Sequence, residues 1–327
     1  MVNVRLLSSG QGQMVDLIRD GRLLPIISGD ALEDIVLQGH EALVIHYAQE
    51  IGYPLQDRTE LDKMIKYRSL SQELKDNAAK TEYLDVVATY LRDLATRSGI
   101  PERVITEASA QAAGLKVSDF AKLLGFPHLG EGATNPLEIL ANLPLPIFVT
   151  TTPYMFIEEA LRHAGKKPET EFCRWHPGLD SAASVFTSGD YQPNDKRPLV
   201  YHLYGLDQYE DSLVLTEDDY LDFLIAVSQS RGKDIDPLHD VVKGALQSKA
   251  LLLLGFSLVS WSFRVLYRVL IKPMPDSIYQ RYCCLQLVPN QDERRYYESY
   301  LRKEARFDKV YWKDIEAFCR EDLPVEV

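Results

Sequence analysis

Three stretches of the chain repeat one order of hydrophobic and polar positions. Leu145 to Leu161 (LPIFVTTTPYMFIEEAL) is the first. RPLVYHLYG, Arg197 to Gly205, leading into SLVLTEDDYLDFLIAV, is the second, and ALLLLGFSLVSWSFRVLYRVLI, Ala250 to Ile271, is the third. Each is a short apolar run, a turn of small or polar residues, then a helical pattern. Apolar runs without alternation suit strands buried on both faces. A strand that feeds a helix through a Gly/Ser/Thr turn is where an open α/β sheet gathers ligand-binding groups. Backbone N–H groups at the helix start favour an anion such as phosphate. The layout points to a nucleotide site.

Around these blocks, residues 13–22 read as a helix, LLPIISGD (Leu23 to Asp30) as a first strand and turn, and the segment ending at Tyr53-Pro54 as a second helix. Between 56 and 143 strand signals vanish, and charged, Ala-rich helical patterns such as EYLDVVATYLRDLAT take over. This predicts a helical insertion or subdomain at 56–143 within one domain spanning 1–327. From 144 onward strands and helices alternate. EFCRWHPG (Glu171 to Gly178), CCLQLVPN and VYW read as further strands, and KDIEAFCREDL as a closing helix. The alternation predicts a doubly wound, mainly parallel α/β sheet.

Composition narrows the class. A chain of 327 residues with 46% hydrophobic and 26% charged positions can build a core without staples. No run reaches the ~18 apolar residues of a membrane span. The start, MVNVRLLSSGQGQ, does not read as a secretory signal, so the expected location is cytoplasmic. A net charge of −12 argues against a general nucleic-acid surface, and Arg294, Arg295, Arg302 and Lys303 read as a solvated helical face. Cys173, Cys283, Cys284 and Cys319 form no C-x-x-C pair, so no structural zinc is expected.

The blocks resemble the sirtuin-like domain of prokaryotic antiphage defence proteins. VTTTPYMFIEEAL, Val149 to Leu161, fits that family's T-T-N-Y-D frame, with Glu158, Ala160 and Leu161 in register. VYHLYG occupies the strand that ends in a His-Gly pair, followed by SLVLTEDDYLDFL. GFSLVSWSFRVLYR, Gly255 to Arg268, resembles the later G-F/Y-S and D-W-x-F-R-like segments. The likeness covers about 23–55 and 144–323, with SGD, Ser28 to Asp30, standing where the family has a G-A-G turn. It implies a sirtuin-type, Rossmann-like sheet flanked by helices, with NAD as ligand. The activity implied is an NAD+ glycohydrolase that cleaves the nicotinamide–ribose bond, uses no metal and depletes NAD in antiviral defence. Because no sensor domain accompanies it, activation is expected through a homo-oligomer or a partner sensor protein.

Departures from the family pattern open a second reading. The family Asn falls on Thr152, the next aromatic on Pro153, the Asp on Tyr154 and the His on Tyr204. The alternative is a degenerate module that binds NAD or a related nucleotide and regulates a partner. His202 lies two residues before Tyr204, and such residues share a face of a strand. It is the first candidate for a general base, suited by an imidazole titrating near neutrality; a hydrogen-bonded strand histidine is the other account. Thr152 and Tyr204 complete the candidate catalytic set.

Thr150 and Thr151, with Thr152, offer hydroxyls to phosphate or ribose, or cap the next helix with Pro153 at its first position. Gly29 allows backbone to approach a ligand, Asp30 suits a ribose hydroxyl, and Ser28 with them forms either a ligand turn or a helix cap. Gly255 and Ser257 suit adenosine or phosphate contact, or a tight strand exit. Glu217, Asp218 and Asp219 after Thr216 read as a helix start, not a metal cluster.

Overall fold

The computed structural model describes residues 9–129, 135–179, 181–187, 189–230, 236–258, 260–273, 281–285, 291–303 and 306–323. Its centre is a seven-stranded sheet: β1 Leu23–Ile27, β2 Ile147–Thr150, β3 Glu169–Phe172, β4 Leu199–His202, β5 Ala250–Phe256, β6 Arg281–Leu285 and β7 Lys309–Trp312. The spatial order is β3-β4-β2-β1-β5-β6-β7, and every pairing is parallel. The chain builds outward from β1 on one side and then returns to add β5 on the other. That reversal places a crevice at the C-terminal ends of the central strands.

The apolar runs form strands because both faces are covered. Along β1, Leu23 and Ile27 enter one core while Leu24 and Ile26 enter the other. Along β5, Leu252 and Leu254 face the first core, and Leu251 and Leu253 the second. Pro25 sits in the middle of β1, where its missing N–H would normally break a central strand. It pairs with Leu252 of β5, while pairing with β2 begins only at Ile26. The edge strand β3 differs: Glu169 and Thr170 are half-buried, so its sequence ETEF lacks a continuous apolar run.

Helices α1 Ser9–Arg19, α2 Gly29–Leu37 and α3 His40–Glu50 accompany β1. Five more, α4 Leu61–Ser71, α5 Asp76–Arg97, α6 Glu102–Gln111, α7 Val117–Leu123 and α8 Pro136–Asn142, lie between α3 and β2. This helical stretch packs on the sheet: Tyr83, Val87, Leu91 and Leu94 of α5 share a core with Phe148 of β2 and Leu252 of β5. The remaining helices are α9 Phe156–His163, α10 Glu217–Ser230, α11 Asp240–Ser248, α12 Trp261–Leu266, α13 Gln291–Lys303 and α14 Ile315–Glu321. A π-helical turn, Tyr267–Ile271, continues α12. No helix among the described residues is long and apolar enough to cross a membrane. Of the strand reading CCLQLVPN, residues 286–290 lie outside the described residues.

Two helix starts were legible in different degrees. Thr216 caps α10, its Oγ1 accepting from Asp219 N at 3.1 Å, while Asp219 Oδ2 accepts from Thr216 N at 2.8 Å. Asp219 is also held by Lys80 of α5 at 2.7 Å. By contrast, α9 begins at Phe156, three residues beyond the Pro153 start expected from sequence, and none of Thr150, Thr151 and Thr152 caps it. Their hydroxyls turn the chain instead. Thr150 Oγ1 accepts from Thr152 N at 3.2 Å, and Thr152 Oγ1 from Tyr154 N at 3.3 Å.

Candidate functional site

The C-terminal ends of β1, β2, β4 and β5 bring most of the candidate residues to one edge of the sheet. Ser28 and Gly29 follow β1. Ser28 is buried and its N–H donates to Leu254 O of β5 at 2.9 Å. Gly29 opens α2, yet its N–H already donates to Thr151 Oγ1 at 2.8 Å. A Cβ at Gly29 would meet the backbone of Thr152 at 3.2 Å. The first turn is therefore closed against the second by the protein's own atoms. Thr150 is buried, its hydroxyl donating to Ile27 O at 3.2 Å. Gly255, at φ +72°, bends the end of β5, and Ser257 O accepts from the backbone N–H and the hydroxyl of Ser260.

His202 ends β4 and is completely buried. Its Nδ1 lies 2.7 Å from Thr152 O and its Nε2 2.9 Å from Glu158 Oε1. A carbonyl can only accept, so Nδ1 carries a proton. Glu158, on α9, is also fully buried, and its Oε1 accepts a hydroxyl from Thr170 of β3 at 2.8 Å. Burial alone would depress the His202 pKa, but the Glu158 carboxylate and the hydrogen bonds outweigh it and hold the pKa above the ordinary value. Both ring nitrogens are thus engaged inside the protein, and neither faces the crevice.

Tyr204 lies beyond the end of β4, so strand alternation no longer relates it to His202. Its hydroxyl donates to Ser262 O at 2.6 Å, and its ring packs edge-on against Tyr220 and Phe223. Thr152 is fully buried beneath the turn. The three sequence candidates for catalysis are therefore interior groups with satisfied partners.

The turn after β4 is braced from the helical stretch. Asp207, fully buried, accepts from Ser118 N at 2.6 Å and Ser118 Oγ at 2.8 Å, and Ser118 Oγ accepts from Met155 N at 3.1 Å. Burial raises the Asp207 pKa to about 6, against the opposing pull of the two Ser118 bonds. Gly205 sits at φ +92°, packed so closely that a Cβ would fall 2.2 Å from Ser212 O.

A cavity of about 60 Å³ opens at this edge, lined by the candidates Gly29, Asp30 and Thr151, by Tyr154 at the family Asp position, and by residues the sequence did not single out: Glu33, His40, Tyr83, Tyr220 and Ser262. It is far smaller than the ~300–1,000 Å³ usual for whole small-molecule ligands. Glu33 is buried and bonds His40 Nδ1 at 2.6 Å, with Asp30 3.9 Å from His40 Nε2. Burial works to depress the His40 pKa, but Asp30 and Glu33 raise it to about 10, so this imidazole is protonated at neutrality. Burial also raises the Glu33 pKa, with His40 opposing. Glu33 was detectable in the sequence as the residue one turn after Asp30, on the same helix face. Tyr83 was not, because it arrives from the helical stretch.

Among the described residues there is no group of three or more His, Cys, Asp or Glu side chains placed to hold a metal ion. Cys173 and Cys319 are buried.

No curated protein matches the chain. Residues 146–305 match the family model of the SIR2-like domain, a span that runs from β2 to the end of α13 and contains the β2 and β4 turns, His202, Glu158 and Tyr204. Together with the all-parallel sheet, this match makes residues 146–305, just under half of the chain, similar to a SIR2-like domain.

Proposed function

We propose that this chain is a SIR2-like module that holds NAD or a related nucleotide at the C-terminal edge of its sheet and regulates a partner, or a second copy of itself, without cleaving the ligand. The observation that carries this reading is the state of His202. A general base needs a free lone pair aimed at the proton it removes. His202 has one nitrogen on Thr152 O, the other on Glu158, and no exposed surface. Thr152, Pro153, Tyr154 and Tyr204 stand where the resembling hydrolases have Asn, an aromatic, Asp and His. The packing of α5 on the same core as β2 and β5 supports one domain over 1–327, with 56–143 as an insertion.

A second reading is an NAD+ glycohydrolase of the antiviral type. The SIR2-like match favours it, but His202 would first have to leave Glu158. One experiment separates the two. The purified protein is incubated with NAD, alone and at concentrations that promote self-association, while free nicotinamide and bound NAD are both measured. Binding without nicotinamide release is the expected result. Release that disappears in His202→Ala would establish the hydrolase instead.

A further inference from the structure

The small cavity at the sheet edge lies between the sheet and the helical insertion. Gly29, Thr151 and Tyr154, from the turns after β1 and β2, line it together with Leu61 of α4 and Tyr83 of α5. Its width is therefore set by how closely the insertion is held to those turns. Two ties hold it. The hydroxyls of Tyr83 and Tyr154 bond each other. Ser118, the second residue of α7, is buried, and its Oγ accepts from Met155 N at 3.1 Å, at the end of the β2 turn. The same residue grips the β4 turn. Its N–H and its hydroxyl donate to the two carboxylate oxygens of Asp207 at 2.6 and 2.8 Å, and Asp207 N donates to Pro153 O at 3.0 Å. Just beyond, Glu210 stays on the insertion, accepting from Thr81 and Lys116 at 3.0 and 2.8 Å. One residue of the insertion thus joins the turns that follow β2 and β4.

We propose that Ser118 is an autoinhibitory latch: it holds the insertion down on the two strand turns, and a nucleotide enters only when α7 lets go of Met155 and Asp207. The inference rests on the nucleotide-binding reading above and names what regulates that site. The size of the cavity decides between a latch and a plain brace. A brace would support a space already shaped for its ligand, whereas about 60 Å³ is too little for a nucleotide. The structure is therefore the shut state, and the bonds that keep it shut oppose binding. Of the two ties, Ser118 is the stronger, because two of its three bonds go to a carboxylate and are charge-assisted. The Tyr83–Tyr154 bond joins two neutral hydroxyls. A ligand that binds only the open state has its apparent affinity reduced by the fraction of molecules that are open. Cutting the latch raises that fraction, so it strengthens binding even though it removes native hydrogen bonds. A brace predicts the opposite sign.

The test is calorimetric titration of the full chain with NAD, repeated on Ser118→Ala, Ser118→Thr and Tyr83→Phe, with the thermal midpoint of each recorded to establish folding. Amide hydrogen exchange over 150–156 and 203–213 is followed in the same proteins without ligand. Ser118→Ala should bind NAD at least about tenfold more tightly, the effect of one hydrogen bond to a charged group, while its thermal midpoint falls. Both segments should exchange faster together. Ser118→Thr keeps the hydroxyl and should behave as the unaltered protein. Tyr83→Phe cuts the neutral tie and should gain about fivefold; it carries the test if Ser118→Ala does not fold. NAD affinity unchanged or weakened in the variants that cut a tie overturns the latch and leaves the nucleotide reading intact. Faster exchange of both segments, with no NAD binding by any form, upholds the tie between the turns and overturns the nucleotide reading. Neither faster exchange nor NAD binding overturns both.

Discussion

His202 Nε2 lies 2.9 Å from Glu158 Oε1, and both side chains are wholly shielded from solvent. The pair joins the end of β4 to α9, and Thr170 ties it to β3. Removing one member of a buried pair strands the other charge, which costs about 3–5 kcal/mol. His202→Ala and Glu158→Leu should each destabilise the fold on that scale in urea titration. The double change His202→Phe with Glu158→Leu should recover much of the loss, because no charge is left unpaired. A stable single variant would mean that the pair is not structural and would return His202 to the list of catalytic candidates.

Gly205→Ala should be among the most damaging single-methyl changes in the chain. The added carbon would fall 2.2 Å from Ser212 O, at a φ of +92° that L side chains avoid. A loss of about 3 kcal/mol or more is expected from overpacking and backbone strain together. Denaturant unfolding measures it, and a change under about 1 kcal/mol would contradict the packing of this turn.

Thr151→Val keeps the shape of the side chain and removes the hydroxyl that accepts from Gly29 N. An orphaned buried N–H costs about 1–3 kcal/mol. Thr151→Ser retains the acceptor and should lose much less. Equal losses in the two variants would locate the effect in the missing methyl.

Asp207 sets a pH dependence with a definite sign. Its folded pKa of about 6 lies above the ordinary 3.8. The folded state therefore binds more protons than the unfolded state between those values, so stability falls as pH rises from about 4 to about 6. Two pKa units correspond to about 3 kcal/mol. The stability of the protein minus that of Asp207→Asn should decline across this window by an amount of that order. A difference that rises with pH would reverse the assignment.

Much of the fold was readable because β1, β2, β4 and β5 are buried on both faces and so carry unbroken apolar runs. The edge strand β3 is half-buried at Glu169 and Thr170, and its signal is correspondingly weaker. The start of α9 was misplaced because three threonines before a proline are a good capping signal. In the folded chain they serve the turn, bonding one another's backbone and Gly29. The site was legible only in its local parts. Gly29, Asp30 and Thr151 follow strands and could be named from the layout. Tyr83 could not, since only packing of α5 on the sheet brings it to Tyr154, and no spacing in the sequence reports that contact. The partner of His202 was hidden for the same reason: residues 158 and 202 meet across two elements.

The central position of β1 bears on how the chain is assembled. Ile27 pairs with Thr150 on one side and Leu254 on the other. The strand therefore waits for partners made more than a hundred residues later. Pairings so distant in sequence slow the search for the native arrangement. During that interval LLPII is an apolar strand with two open edges, the kind of segment that aggregates. The helices of 61–142 emerge in the meantime and bury part of the same core. They can shield β1 until β2 and β5 arrive, a chaperone-like task performed within the chain.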